Sequence, residues 1–136
     1  MMEVTAKWLS NMDFESENTK GHKVTMSNFE GTAGPTPMEL VLMGLGGCTG
    51  MDVISILNKM RIAYDRFEIN VAGERAGDHP KVFSEVSVVY RIWGDNIPEE
   101  KLARAVELTQ EKYCSVLHMV NKTAQVSYRY EINPAD

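Results

Sequence analysis

Residues 37–60, PMELVLMGLGGCTGMDVISILNKM, decide the fold. Pro37 follows Thr36, and Glu39 stands three residues after that threonine, which is the pattern of a helix N-terminus with a reciprocal cap. The spacing predicts one long helix from Pro37 to about Met60. Leu40, Val41, Met43, Leu45, Val53, Ile54, Ile56 and Leu57 place apolar groups on nearly every face, so this helix is expected at the centre of the molecule. Glycines at 44, 46, 47 and 50 each cost about 1 kcal/mol relative to alanine inside a helix. Close approach of another helix or of a ligand is the usual reason for keeping them. The same stretch holds Cys48, with Gly46, Gly47 and Thr49 beside it.

A second cysteine, Cys114, lies in the helical run KLARAVELTQEKYCSVLHMV and is followed by Ser115. Small and hydroxyl neighbours leave a sulfur reachable, and a thiol becomes reactive only when its thiolate is accessible and favoured. Free cysteine is also among the most buried residue types, so these two can equally be read as core residues.

Outward from the central helix, the N-terminal third reads as β. Glu3 to Leu9 alternates polar and apolar residues, Asp13–Glu15 and Lys23–Met26 repeat the pattern, and residues 18–21 make a turn. Gly31 to Pro37 closes that region. After the helix come two longer strands, Phe67–Ala72 and Val82–Trp93, separated by a turn at 76–80. Pro98-Glu99-Glu100 opens a helix whose stripe is Leu102, Ala103, Val106 and Thr109. A shorter helix is expected over Cys114–Val120 and a last strand over Ala124–Ile132. The order βββ-α-ββ-α-α-β predicts an α+β fold with antiparallel sheet, in one domain spanning residues 1–136.

With 136 residues, 43% hydrophobic and 24% charged, the chain has an ordinary globular composition. A net charge of −5 without a basic run speaks against nucleic acid as a partner. The nearly uncharged stretch Leu40–Met51 is short for a bilayer, so no membrane partner is expected. MMEVTAKWL lacks the basic start and apolar core of a signal peptide. Two cysteines without an export signal lead us to expect a reducing, cytoplasmic location, where disulfides are more often transient than structural.

One competing pattern fails. Read as a phosphate-cradling turn, Gly44-Leu45-Gly46-Gly47 would need a third glycine at position 49, which is Thr.

The segments Gly34-Pro35-Thr36-Pro37-Met38-Glu39-Leu40, Leu45-Gly46-Gly47-Cys48-Thr49 and Lys112-Tyr113-Cys114-Ser115-Val116 together resemble the OsmC/Ohr family of osmotically induced and organic-hydroperoxide-resistance proteins. In detail the chain is most similar to a less characterised branch with Gly-Gly-Cys-Thr and Lys-Tyr-Cys-Ser. The resemblance spans essentially the whole chain. It implies an intertwined homodimer with antiparallel sheets wrapped around long central helices, which accounts for the glycines. It also implies thiol-dependent reduction of hydrophobic organic hydroperoxides, without cofactor or metal. Cys48 would attack the O–O bond and become a sulfenic acid; Cys114 would resolve it to a disulfide, which an external dithiol reduces. Methionine, leucine and valine around Cys48 would offer alkyl peroxides an apolar pocket.

Two positions depart from the family pattern. Its well-known peroxidases carry an arginine in the N-terminal β region, whereas the first arginine here is Arg61. Lys7, Lys20, His22 and Lys23 are the cations available in that region, and a lysine lacks the planar fork of a guanidinium. The family glutamate ten residues before the attacking cysteine is Met38 here. Glu39 is adjacent, but nine residues turn a helix through about 900°, so Glu39 points away from Cys48 and is read as a cap. Asp52 lies one turn after Cys48 and faces the same way, where a like charge disfavours a thiolate. Two alternatives therefore stand beside the peroxidase: a protein that binds an apolar small molecule with little chemistry, and a zinc half-site of Cys114 and His118 with Cys48 as third ligand.

Overall fold

A computed structural model describes all residues, 1–136, which fall into two compact units, Met1–Val41 and Leu42–Asp136.

The first unit contains a three-stranded antiparallel meander: β1 (Val4–Ser10), β2 (Asp13–Asn18) and β3 (Lys23–Met26), in that spatial order. The turn between β2 and β3 is closed by Asn18, whose side-chain oxygen accepts from the backbone N–H groups of Lys20 and His22. Gly34 packs so closely on the carbonyl of Thr25 that any side chain there would collide with backbone. Every residue of β1 is exposed, Trp8 and Val4 included. Helix α1 (Pro37–Lys59) begins in this unit with the expected cap. The Thr36 hydroxyl accepts from the Glu39 N–H at 3.1 Å, while Glu39 Oε1 accepts from the Thr36 N–H at 3.0 Å. Those bonds hold the Glu39 carboxyl below its ordinary range.

The second unit holds the rest of α1, then β4 (Arg66–Arg75), β5 (Phe83–Trp93), α2 (Glu99–Leu108), a π-helical turn (Thr109–Tyr113), α3 (Ser115–Val120) and β6 (Gln125–Ile132). The sheet order is β4-β5-β6. β5 is the middle strand, which explains why Val86, Val88, Val89, Tyr90 and Ile92 are all buried rather than alternating. One ladder departs from the antiparallel expectation: β6 runs parallel to β5, from Glu85↔Gln125 to Ile92↔Ile132, because it is reached by the long helical crossover of α2 and α3.

Two of the α1 glycines have a reason within this unit. A Cβ on Gly50 would lie 2.8 Å from Ile69 of β4, and one on Gly46 would touch Val71. Nothing approaches Gly44 or Gly47. The helix ends at Arg61, which takes a left-handed φ of 59° while the N–H of Ile62 donates to the carbonyl of Leu57 at 3.1 Å, a close usually reserved for glycine. By length and composition alone α1 would suffice to cross a bilayer, with a mean hydropathy of 1.8 over its most apolar 18 residues. Core helices of globular proteins pass the same test.

Candidate functional site

Cys48 and Asp52 are four residues apart on α1 and therefore share one face. Cys114 comes to the same point from the other side of the unit. The two sulfurs and one Asp52 carboxylate oxygen lie within 4.8 Å of one another, and both cysteines are free thiols.

Cys114 is not inside a helix, as the sequence pattern led us to expect. The extra residue of the π-helical turn lets the Cys114 N–H reach back to the Thr109 carbonyl at 3.0 Å, and the chain then breaks to an extended ψ of 103°. Cys114 thereby caps α3, its Sγ accepting from the Leu117 N–H at 3.4 Å. His118 braces the break: Nδ1 sits 2.8 Å from the Cys114 carbonyl and Nε2 3.0 Å from that of Glu111. Both ring nitrogens are turned to backbone, so the Cys114–His118 zinc half-site does not form.

The thiols differ in environment. Cys48 is partly exposed, whereas Cys114 is wholly buried despite its serine neighbour. Burial pushes the Cys114 thiol up to about 12; Cys48 and Asp52 add to the rise and the Leu117 N–H opposes it. Burial likewise raises the Asp52 carboxyl above its ordinary value, and its Oδ2 has no hydrogen-bond partner.

A buried hydrogen-bond chain supports both cysteines. Gln110 Nε2 donates to the Tyr90 hydroxyl at 2.7 Å, and that hydroxyl also bonds Thr49, the residue after Cys48. Thr49 and Tyr90 are fully buried, and Phe67 stacks on the Tyr90 ring with centroids 6.5 Å apart. This chain fastens α1, the middle strand and the turn leading to Cys114 to one another. Sequence reading missed it, although a tyrosine among valines on a central strand signals a hydroxyl that must find a partner.

Two arginines that follow α1 are engaged away from Cys48. Arg66 pairs with Asp136 at 2.7 Å and covers the Trp93 ring, and Arg75 donates to the Lys81 carbonyl. Met43 and Met51, either side of Cys48 on α1, are exposed in the single chain.

An α+β fold with two thiols meeting between a long helix and a helix-capping turn defines a class, and comparison places the chain in it. Residues 29–129 match the family described as OsmC-like protein, and the chain belongs to that family. Protein YhfA of Escherichia coli K12 is 36% identical over 131 residues, covering 96% of this chain and 98% of YhfA. A hypothetical protein from Aquifex aeolicus VF5 has the same fold, with a TM-score of 0.84, 34% identity and 98% of each chain covered. An organic hydroperoxide resistance protein OsmC from Legionella pneumophila superposes with a TM-score of 0.74 over 96% of both chains at 16% identity, a likeness of fold alone.

Proposed function

We propose that the protein reduces organic hydroperoxides through Cys48 and Cys114. The observation that carries this is the placing of two free thiols within 4.8 Å, one partly exposed and one buried. The Cys48 thiolate attacks the terminal peroxide oxygen; the O–O bond breaks, the alkoxide takes a proton and leaves as alcohol, and Cys48 becomes a sulfenic acid. The Cys114 thiol then attacks that sulfur, forming the S–S bond, and its proton leaves with the displaced hydroxide as water. An external dithiol restores both thiols by exchange. Burial keeps Cys114 out of the first step, since a thiol held protonated does not compete for peroxide.

In this proposal residues 1–136 work as one OsmC-like domain in a homodimer. Support comes from the apolar surface that one chain leaves exposed on β1 and α1, including Trp8, Met43 and Met51, and from the open space at Gly44 and Gly47. A second copy over α1 would also supply the apolar walls that alkyl peroxides need.

The test is intact mass before and after one equivalent of an alkyl hydroperoxide, with and without prior thiol blocking. Loss of two hydrogens, prevented by the block, supports the proposal; an unchanged mass overturns it. The Asp52 carboxylate beside the sulfurs opposes a thiolate there, and an unchanged mass leaves in front the second reading, a binding protein for an apolar small molecule.

A further inference from the structure

Three groups that can each carry negative charge converge at one point, and no cation of the chain joins them. Asp52 takes part in none of the ion pairs, and its Oδ2 is buried without a partner. Asp52 is the one carboxylate with a buried oxygen that no hydrogen bond satisfies. We propose that the reduced site binds one Zn2+ through Cys48 Sγ, Cys114 Sγ and the Asp52 carboxylate, and that the bound metal masks the thiols. This departs from the metal-free site expected from the sequence.

The geometry is close to what zinc requires. With Zn–S near 2.3 Å and Zn–O near 2.0–2.2 Å, tetrahedral ligand atoms stand about 3.5–3.8 Å apart. The three atoms here already lie within 4.8 Å of one another, so a side-chain adjustment of about 1 Å closes the site. Cys48 and Asp52 come from successive turns of one rigid helix, and Cys114 from a backbone break fixed by its own hydrogen bonds. Two sulfur ligands select zinc over magnesium or calcium. Three protein ligands leave a fourth position for water, as in exchangeable rather than closed structural sites. Binding displaces a proton from each thiol and gives the unpartnered carboxylate a counter-charge.

The masking rests on the hydroperoxide-reducing proposal; the metal binding does not. When a hydroperoxide oxidises the loaded site, two electrons leave the two thiolates and the S–S bond forms. The peroxide takes those electrons with two protons, becoming alcohol and water, and Zn2+ is released because two of its three ligands are gone.

The experiment titrates Zn2+ into the reduced full-length protein in competition with a chromophoric chelator. The expected result is one Zn2+ per chain, lost in Cys48→Ser and in Cys114→Ser, and bound at least ~10-fold more weakly by Asp52→Asn. Co2+ in place of Zn2+ should give sulfur-to-metal charge-transfer absorption that falls when either cysteine is replaced. Should the buried Cys114→Ser variant fail to fold by circular dichroism, Cys48→Ser and Asp52→Asn decide. Binding weaker than about 1 μM, or an affinity indifferent to Asp52→Asn in folded protein, overturns the site. Zinc bound as expected by a protein whose metal-free form gives no disulfide with hydroperoxide leaves the metal site standing and ends the peroxidase proposal. A disulfide without zinc binding does the reverse.

Discussion

Replacing Tyr90 with phenylalanine removes one oxygen and strands two buried partners. The hydroxyl accepts from Gln110 at 2.7 Å and bonds Thr49, and all three side chains are buried. A hydrogen bond contributes about 1 kcal/mol net, but a buried polar group left unpaired costs about 1–3 kcal/mol. The Phe67 stacking and the ring's burial survive the change, so the loss is confined to the two polar contacts. We expect Tyr90→Phe to destabilise the protein by about 2–4 kcal/mol, a large share of the 5–15 kcal/mol typical of a domain. Urea unfolding followed by circular dichroism measures this as a lower midpoint at unchanged slope. Thr49→Val in the Tyr90→Phe background replaces one stranded hydroxyl by a methyl, so a double-mutant cycle should show coupling of about 1 kcal/mol or more. The same loosening should slow disulfide closure, since the chain ties the residue after Cys48 to the turn before Cys114. A loss below about 0.5 kcal/mol with no coupling would refute the claim that this chain holds the two thiols in place.

Three further outcomes are expected. Because burial pushes the folded-state Cys114 thiol up to about 12 against an ordinary 9.0, its contribution is complete below pH 9 and is lost as pH rises toward 12; Cys114→Ala should flatten this fall, which reaches about 3 kcal/mol, in unfolding measured from pH 8 to 11. Gly44→Ala and Gly47→Ala meet open space in one chain, so each should stabilise an isolated helix by about 1 kcal/mol; if a second copy packs there, light scattering on dilution will show weakened dimers, and stabilisation without weakening speaks against that interface. Arg61→Gly, at a left-handed position that closes α1, should raise stability by about 0.5–1 kcal/mol in thermal unfolding, and a loss would mean that the arginine side chain does something there besides ending the helix.

The element order was legible because each element carries its own local signal: alternation in the strands, the Thr36–Glu39 cap, and the Pro98-Glu99-Glu100 start of α2. Asp52 was legible as well, since four residues along a helix fix a shared face. What escaped the reading was non-local. Nothing in Gln125–Ile132 says that this strand lies parallel to β5, because direction is set by where the crossover returns. Gln110 reads as one more polar residue on an amphipathic helix until the π-helical turn aims it inward. The burial of Cys114 was left open because small neighbours in sequence say little about what covers a side chain from elsewhere in the fold.

In the proposed peroxidase cycle, the difference in burial between the two thiols bears on the order of their chemistry. A cysteine that both attacks peroxide and survives to be resolved needs a partner that stays out of the first step. Depth would do this for Cys114, whose sulfur is covered and whose thiol burial pushes up to about 12. Its sulfur nonetheless lies within 4.8 Å of the Cys48–Asp52 pair, so under that proposal a sulfenic acid on Cys48 would meet it without a large movement of the chain. Asp52 works against the first step, because a carboxylate beside Cys48 opposes the negative charge that attack requires. The chain carries no arginine before Arg61, and Arg66 and Arg75 are already occupied. An acid placed where a peroxidase would want a base-stabilising cation is what a metal-binding site needs, and it makes the state of Asp52 the point on which the chemistry of this site turns.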